Sequence, residues 1–429
     1  MGFRAYLGSQ KAKLTHNRQI LGSVAALFGG NMSASFLGAL GGLLVARFLG
    51  PEVTGRYRIF TIPLMYMAFL HMGTFDGLWR QIPFYTGKNM PEKVEALASA
   101  AGAWNALVST AVSIGFLVCA GVALVRGDYY GVAGWLSQVL CCWGVFYGGY
   151  LGATYRTIHH FVALARVQLI QAVLNFGLVF IIPTLGFFGL CIRVALPALA
   201  GVGLLHRDRP LKIQYRLDRA ALKELVSIGL PFSFWGSLYT SIWAATESAL
   251  MLALGGLTGL GLFAVASVMR DGMNVLPHSV YQVMTPRVVE AYAREGSVRN
   301  ANGRSMLLTA GLTGVMVLIV LVCSFLLGRL VPLAIPKYAG GVPLMQVCLW
   351  FSVIQAAELP FNTLFATGRS WLYGRGVIIG LLVFPLAAYL LKPAVGGILA
   401  VALGSLLGRV ARTLVAYLEI AVLTRDEVA

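Results

Sequence analysis

Twelve long apolar runs constrain this chain more than any other feature of its sequence. Each approaches the roughly 20 residues that an α-helix needs to cross a bilayer. The runs are continuous and do not alternate over segments of about ten residues, which excludes a membrane β-barrel and predicts a helical bundle. Their predicted bounds are 20–46, 58–79, 97–125, 132–155, 167–185, 186–205, 226–254, 259–283, 305–331, 343–366, 376–391 and 394–424.

The composition agrees with this pattern. Of the 429 residues, 58% are hydrophobic and only 11% are charged, whereas a soluble domain carries about 25% charged residues. The polar connections between the runs are too short for a water-soluble catalytic domain. The sequence therefore predicts an all-α polytopic membrane protein of about 12 transmembrane helices that is not an enzyme.

The net charge of +17 predicts an orientation rather than a nucleic-acid partner. With a cytoplasmic N-terminus, 22 of the 33 Lys and Arg residues fall in cytoplasmic segments and 7 on the opposite side. Because Lys and Arg favour cytoplasmic loops, both termini are predicted to lie in the cytoplasm and the protein in the cytoplasmic (inner) membrane. This assignment places 47–58, and Arg58 with it, in an outer connection.

The most polar internal segment divides the predicted helices six and six. It is 207–225, a predicted cytoplasmic linker between an N-terminal lobe, 1–206, and a C-terminal lobe, 226–429. With an even number of helices in each lobe, the two would be parallel repeats. Transporters built from such repeats bind substrate between them, so a central cavity is expected.

An internal repeat supports this division. The stretch "FLGPEVTGRY" (48–57) is matched by "LGGLTGLGLF" (254–263), and both lie between the first and second helix of their lobes. The matched positions are Gly50 with Gly256, Gly55 with Gly261, and Tyr57 with Phe263.

The stretch "ASVMRDGMNVLP" (266–277) places two charges inside the eighth run. An ionisable group at the centre of a bilayer costs about 2.5–3.5 kcal/mol, and such groups usually face a wet cavity. Arg270 and Asp271 point about 100° apart on a helix, so they are predicted to neutralise each other poorly. Asn274 lies one turn from Arg270. The expectation is a cavity role, and the alternative is that each charge pairs with another helix.

Other intramembrane charges have structural or coupling interpretations. Asp76 and Arg80 are spaced for an ion pair within the second helix. Glu247 could couple transport to protons or sodium, or could pair with an arginine. Glu358 and Arg409 are predicted to form a buried ion pair.

Two further arginines complete this set. Arg412 lies one turn from Arg409, and Arg193 in the sixth run has no obvious partner.

No cofactor or metal site is predicted. The chain has no phosphate-binding glycine loop before Lys and no Cys/His metal spacing. The six cysteines fall in predicted helices and are interpreted as core residues; they are Cys119, Cys141, Cys142, Cys191, Cys323 and Cys348.

Two stretches carry a resemblance to a known family. "GGLLVARFLGPEVTGRYRIFTIPL" (41–64) and "GTFDGLWRQIPFYTGK" (73–88) resemble the N-terminal region of bacterial polysaccharide flippases. These are the O-antigen and lipid-linked oligosaccharide translocases of the multidrug/oligosaccharidyl-lipid/polysaccharide exporter superfamily. The match covers roughly the first 100 residues, and the whole chain in helix number and two-lobe layout. The related peptidoglycan-precursor flippases have two more helices.

The resemblance implies two lobes in a V around a cavity lined mainly by helices 1, 2, 7 and 8. Cationic side chains there would hold the pyrophosphate of a polyprenol-linked glycan, and arginine suits phosphate because of its forked donors. The expected substrate-binding residues are Arg270, Arg80, Asp271, Asp76, Asn274 and Asn31.

The expected partners are the lipid-linked glycan, membrane lipids, and the polysaccharide polymerase and chain-length proteins. Two alternatives stay open. A cation-coupled multidrug or metabolite exporter would need an acidic cavity with Asp76, Glu247 and Asp271 unpaired. A membrane glycosyltransferase or ligase would need a large outer loop with catalytic acids, whereas the predicted outer loops are short.

Overall fold

The computed structural model describes residues 32–158, 160–211, 214–295, 298–361, 364 and 370–426. Across these ranges the chain is α-helical and has no β-strand, which confirms the predicted all-α class. The helices of the N-terminal half are α1 (Met32–Phe48), α2 (Pro51–Met67), α3 (Thr74–Gly87), α4 (Pro91–Val125), α5 (Tyr129–Trp143), α6 (Gly149–Thr157), α7 (Phe161–Gly177) and α8 (Ile182–Arg207).

The C-terminal half contains the remaining described helices. Its helices are α9 (Arg219–Ser237), α10 (Trp243–Glu295), α11 (Val298–Ala334), α12 (Val342–Ala357), α13 (Ser370–Val395) and α14 (Gly397–Asp426). The side chain of Asp218 caps α9 by accepting the backbone N–H of Ala220 at 2.8 Å, so this helix begins inside the predicted linker.

Seven helical stretches in the described ranges are long and apolar enough to cross a membrane. Two of these, Phe161–Arg207 and Ser233–Tyr281, each hold two predicted runs. Gly186 and Gly256 break them, with φ angles of 54° and 61°. A positive φ is accessible to glycine without steric cost, so the predicted break at Gly186 is confirmed, and the break at Gly256 falls between the seventh and eighth predicted runs.

The second predicted helix is longer and less regular than predicted. It begins at Pro51, not at residue 58, because Pro51 and the acidic Glu52 occupy its first turn. It is then interrupted between α2 and α3, where Met72 and Gly73 adopt positive φ. The assignment of Arg58 to an outer connection is therefore wrong, since Arg58 lies two turns inside α2.

The most extensive contacts between the two halves, over the described residues, form two seams. We call the end that holds the α1–α2 connection the outer end, after the orientation predicted from the charges, and the opposite end the inner end. At the outer seam α2 packs on α10, and at the inner seam α3 packs on α9.

At the outer seam the two repeated segments contact each other reciprocally. A Cβ on Gly55 would overlap the carbonyl oxygen of Leu257, and a Cβ on Gly261 would overlap that of Pro51. Leu257 follows Pro51 by the same 206 residues that separate the two glycines. Glycine at both positions is therefore what lets the two halves approach here.

The inner seam is closed by glycine and by hydrogen bonds. Gly73 and Gly229 lie against each other's backbone. Beside them Glu224 of α9 accepts hydrogen bonds of 2.8 Å from Gln81 Nε2 and from the Tyr85 hydroxyl of α3. Because Glu224 accepts the bond, the pKa of Tyr85 is raised above its usual value.

Candidate functional site

A cavity of about 320 Å³ lies between the two halves, next to the outer seam. We call it the inter-half cavity. Its walls come from α1, α2, α8 and the part of α10 that follows Gly256. The resemblance implied helices 1, 2, 7 and 8, but the sixth predicted helix, which forms most of α8, replaces the seventh. Hydroxyl groups of Thr54, Tyr57, Thr61 and Ser267 lie among the apolar lining.

Arg58 of α2 projects into this cavity. One of its terminal nitrogens donates to the Ser267 hydroxyl at 3.3 Å, and its guanidinium carbon lies 5.0 Å from the centre of the Phe263 ring. Its Nε is buried without a hydrogen-bond partner. Within the described ranges Arg58 forms no ion pair, and its guanidinium contacts a hydroxyl and an aromatic ring.

Arg193 of α8 reaches the same cavity from the opposite wall and is 8% exposed. Pro197 has no N–H, which frees the carbonyl of Arg193 from the helical hydrogen-bond pattern. Asn175 uses that carbonyl, donating to it at 3.2 Å, and in return the Arg193 Nε donates to the Asn175 carbonyl at 3.1 Å. The partner that the sequence did not reveal is thus the backbone of α7, which fixes the guanidinium without neutralising it.

Among the described residues that line this cavity Asp271 is the one carboxylate, and it is already paired. The Arg270 Nε lies 3.0 Å from its Oδ1. The prediction that these neighbours neutralise each other poorly is wrong, because the long arginine side chain spans the angle between them. The Asp271 side chain remains 64% exposed, whereas that of Arg270 is 14% exposed.

Glu247 is the buried centre of a charge network in the C-terminal half. Its carboxylate lies 3.3 Å from Arg270 and 2.9 Å from Arg409. It also accepts hydrogen bonds from the Ser405 hydroxyl and, at 3.1 Å, from Trp243 Nε1. Of the two predicted interpretations, the geometry has Glu247 paired with arginine.

Glu358 pairs with Arg412, not with Arg409, so that predicted pairing is corrected. Arg412 and Arg409 are one turn apart on α14, and each reaches a different carboxylate. Tyr239 joins the two pairs, since its hydroxyl donates to Glu358 at 3.3 Å and accepts from Arg409 at 2.9 Å. When Asp271 is included, the described part of the network contains three arginines and three carboxylates.

Of the remaining predicted residues, Asp76, Arg80 and Asn274 are not among the described residues that line the inter-half cavity. Asp76 and Arg80 on α3 have exposed side chains, and no ion pair joins them in the part of the chain that the structure describes. Asp76 instead interacts with the Ser233 hydroxyl of α9. Asn274 has a buried Oδ1 without a hydrogen-bond partner. Asn31 lies outside the described residues, and the binding roles of all four stay predictions.

Sequence reasoning missed Arg58, and a signal for it exists. Pro51 followed by Glu52 is a helix-start pattern, and extending the helix to it would have moved Arg58 into the membrane. No comparable signal exists for Arg193, because its role depends on the packing of α8 against α7. Over the described ranges, no group of three or more His, Cys, Asp and Glu residues could hold a metal ion.

Comparison with known proteins identifies the fold. No protein-family model and no curated protein matches this chain. The solved inward-facing structure of a multidrug resistance MATE family transporter of the MOP superfamily is similar, with a TM-score of 0.73 at 16% identity, over 92% of this chain and 96% of that one. Its outward-facing counterpart gives 0.64 at 17% identity, over 94% and 96%.

A third structure comes from Pyrococcus furiosus and is a MOP superfamily transporter described as having a binding pocket of reverse polarity. It gives a TM-score of 0.59 at 14% identity, over 94% of this chain and 96% of that one. At such identities the likeness shows the fold, so this chain has the fold of MATE transporters of the MOP superfamily.

Proposed function

We propose that this chain is a transporter that moves a polyprenyl-(pyro)phosphate-linked oligosaccharide across the cytoplasmic membrane by alternating access, for surface polysaccharide biosynthesis. The fold supports the general function, since its neighbours are transporters in inward- and outward-facing states. The place of the cavity supports it too, because repeat-built transporters bind substrate between their repeats.

The proposal of an anionic substrate rests on one observation, the pair of arginines Arg58 and Arg193. Both line the inter-half cavity, and neither forms an ion pair among the described residues. A charge in this position is costly unless a partner arrives. A phosphate or pyrophosphate group would supply that partner, because guanidinium binds phosphate oxygens in a bidentate geometry.

The outer seam supports alternating access. The glycine contacts close the outer end directly beside the cavity. The inner seam is closed as well, so the inter-half cavity lies between two contacts that a transport cycle would open in turn. Opening would require α2 and α10 to separate at Gly55 and Gly261.

Binding of polyprenyl pyrophosphate to the purified full chain tests the substrate class. Arg58→Gln is expected to weaken binding by about tenfold or more, the effect of losing a charge-assisted hydrogen bond. Arg56→Gln is the matched control, since Arg56 is on the same helix, stacks on Tyr130 and does not line the cavity. Equal affinities for both variants would refute the proposal.

Flipping of a fluorescent polyprenyl-pyrophosphate disaccharide in proteoliposomes tests the transport step. Arg58→Gln should abolish it while thermal unfolding stays unchanged, and Arg58→Lys should retain part. A variant that flips at the normal rate would remove Arg58 from the site. The polymerase and chain-length partners stay predictions.

A cation-coupled multidrug exporter is the second candidate, because the neighbours include multidrug transporters and Asp76 forms no described ion pair. Against it stand Glu247 and Asp271, both paired with arginine. Asp76→Asn separates the candidates. It should leave flipping of the pyrophosphate-linked probe intact, whereas an exporter would lose gradient-driven efflux of a cationic dye.

A further inference from the structure

A second cavity, of about 280 Å³, lies within the N-terminal half between α6, α7 and α8. We call it the N-half groove. None of its lining residues lines the inter-half cavity. It extends from Gly144 and Ala198, inside the bundle, to Arg156 and Leu205, near the inner ends of α6 and α8.

The groove exists because α6 presents glycines to its neighbours. A π-helical turn, Gly144–Gly148, precedes the helix, and such turns are frequent at functional sites. Gly149 packs closely on Phe75, but a Cβ on Gly152 would meet no atom within 4 Å, although Gly152 is buried. The space beside Gly152 is therefore left unfilled by the surrounding helices.

Two polar groups of the groove are available to a ligand. One is a cationic hydrogen-bond donor, and the other is a hydrogen-bond acceptor without a described partner. Among the described residues that line the groove, Arg156 is the one charged residue, and none is a carboxylate. No described ion pair involves Arg156. The Gln168 Oε1 is buried without a hydrogen-bond partner. Gln171 is already used, since its Nε2 donates to the Pro197 carbonyl at 3.0 Å. A buried acceptor left without a donor costs free energy.

We infer that the N-half groove binds a phosphate ester that carries a hydroxyl group, with the phosphate at Arg156 and the hydroxyl donating to Gln168 Oε1. Arginine is the side chain best suited to phosphate. The apolar wall of Leu164, Val167 and Val202 would accommodate an acyl chain. The same chemistry is found in the head group of phosphatidylglycerol and in a soluble ester such as glycerol 3-phosphate.

Native mass spectrometry of the purified full chain distinguishes these sources. Phosphatidylcholine is the control lipid, because it has the phosphate but no head-group donor. Retention of phosphatidylglycerol about tenfold above phosphatidylcholine would support a lipid, and retention of glycerol 3-phosphate alone would support a soluble ester. Equal retention of the two lipids, without glycerol 3-phosphate, would overturn the inference.

Three variants locate the ligand in the groove. Arg156→Gln should lower phosphatidylglycerol retention by about tenfold, and Gly152→Leu should do the same by filling the space. Gln168→Leu should abolish the preference over phosphatidylcholine rather than all binding. Arg166→Gln is the matched control, because Arg166 lies on α7 outside the groove and is exposed.

The groove proposal is independent of the transported substrate, since retention is measured without transport. Unfolding temperature checks that Gly152→Leu folds. Gly152→Val, which has a smaller side chain than leucine but still fills part of the space, is used where Gly152→Leu does not fold. Normal retention in folded Arg156→Gln and Gly152 variants would place the lipid elsewhere and refute the site.

Discussion

Two sets of arginines lie inside this helical bundle, and they differ in their partners. In the C-terminal half, Arg409 and Arg412 are held by Glu247 and Glu358. In the inter-half cavity, Arg58 and Arg193 are held by a hydroxyl, an aromatic ring and a backbone carbonyl. Carboxylates of the protein neutralise the first set, whereas the second set forms no ion pair among the described residues.

Arg270 connects the two sets. It pairs with the buried Glu247 on one side and with the exposed Asp271 on the other. The comparison teaches that an intramembrane arginine does not by itself indicate a binding site. The number of carboxylates within ion-pair distance decides whether an arginine stabilises the fold or is available to bind a ligand.

The largest effect is expected where a neutralised pair is broken. Glu247→Gln leaves Arg270 and Arg409 buried without their shared carboxylate, which should lower the free energy of unfolding by about 3–5 kcal/mol. Thermal unfolding in detergent measures it. Glu419→Gln is the control, since its pair with the half-exposed Arg375 should contribute about 0–1 kcal/mol. Equal losses would mean that burial does not distinguish these pairs.

The next effect concerns the outer seam. Gly55→Val or Gly261→Val should force α2 and α10 apart and destabilise the closed state by about 1–3 kcal/mol, as overpacking does. Spin labels at Glu52 and Lys337, which are exposed on the two halves, should then show longer distances by pulsed EPR. Gly50→Ala is the control because a Cβ there meets nothing within 4 Å. Unchanged distances in both valine variants would contradict the reciprocal seam.

A smaller effect on stability is expected for the second set of arginines. Arg193→Gln removes the bond to the Asn175 carbonyl and should lower the free energy of unfolding by about 1.5 kcal/mol, because a hydrogen bond of a charged group contributes more than a neutral one. Polyprenyl pyrophosphate binding should fall by about tenfold. Suppose that Arg193→Gln lowers the free energy of unfolding as much as Glu247→Gln does and leaves polyprenyl pyrophosphate binding normal. Arg193 would then have a structural role, like Arg409 and Arg412.

The smallest effect is expected from a neutral hydrogen bond across the outer seam. Thr54 and Tyr338 place their hydroxyl oxygens 3.0 Å apart. Thr54→Val should lower the free energy of unfolding by about 0.5–1.5 kcal/mol. Although Thr54 lines the cavity, its hydroxyl is already bonded to Gly50 and Tyr338, so pyrophosphate binding should stay within twofold, as measured by calorimetry. A tenfold loss of binding would show that Thr54 contacts the ligand.

Much of the fold could be predicted from the sequence, because apolar runs long enough to cross a membrane have few alternatives to a helix. The break at Gly186 and the matched glycines at Gly55 and Gly261 were also visible. The start of α2 was misplaced since hydropathy alone does not register Pro51 as a helix-start signal. For the site, Arg270 and Glu247 were recognised as buried charges, but their partners were not.

The sequence by itself determined the helical class, the division into two halves, and the glycines that let those halves meet, because these follow from local composition and a repeat. Only the tertiary structure decided which of the described arginines pair with a carboxylate. Arg409 and Arg412 pair with carboxylates on other helices, whereas Arg58 and Arg193 form no ion pair within the described ranges. Ion pairing depends on distances between side chains far apart in the chain, and those distances exist only once the helices have packed.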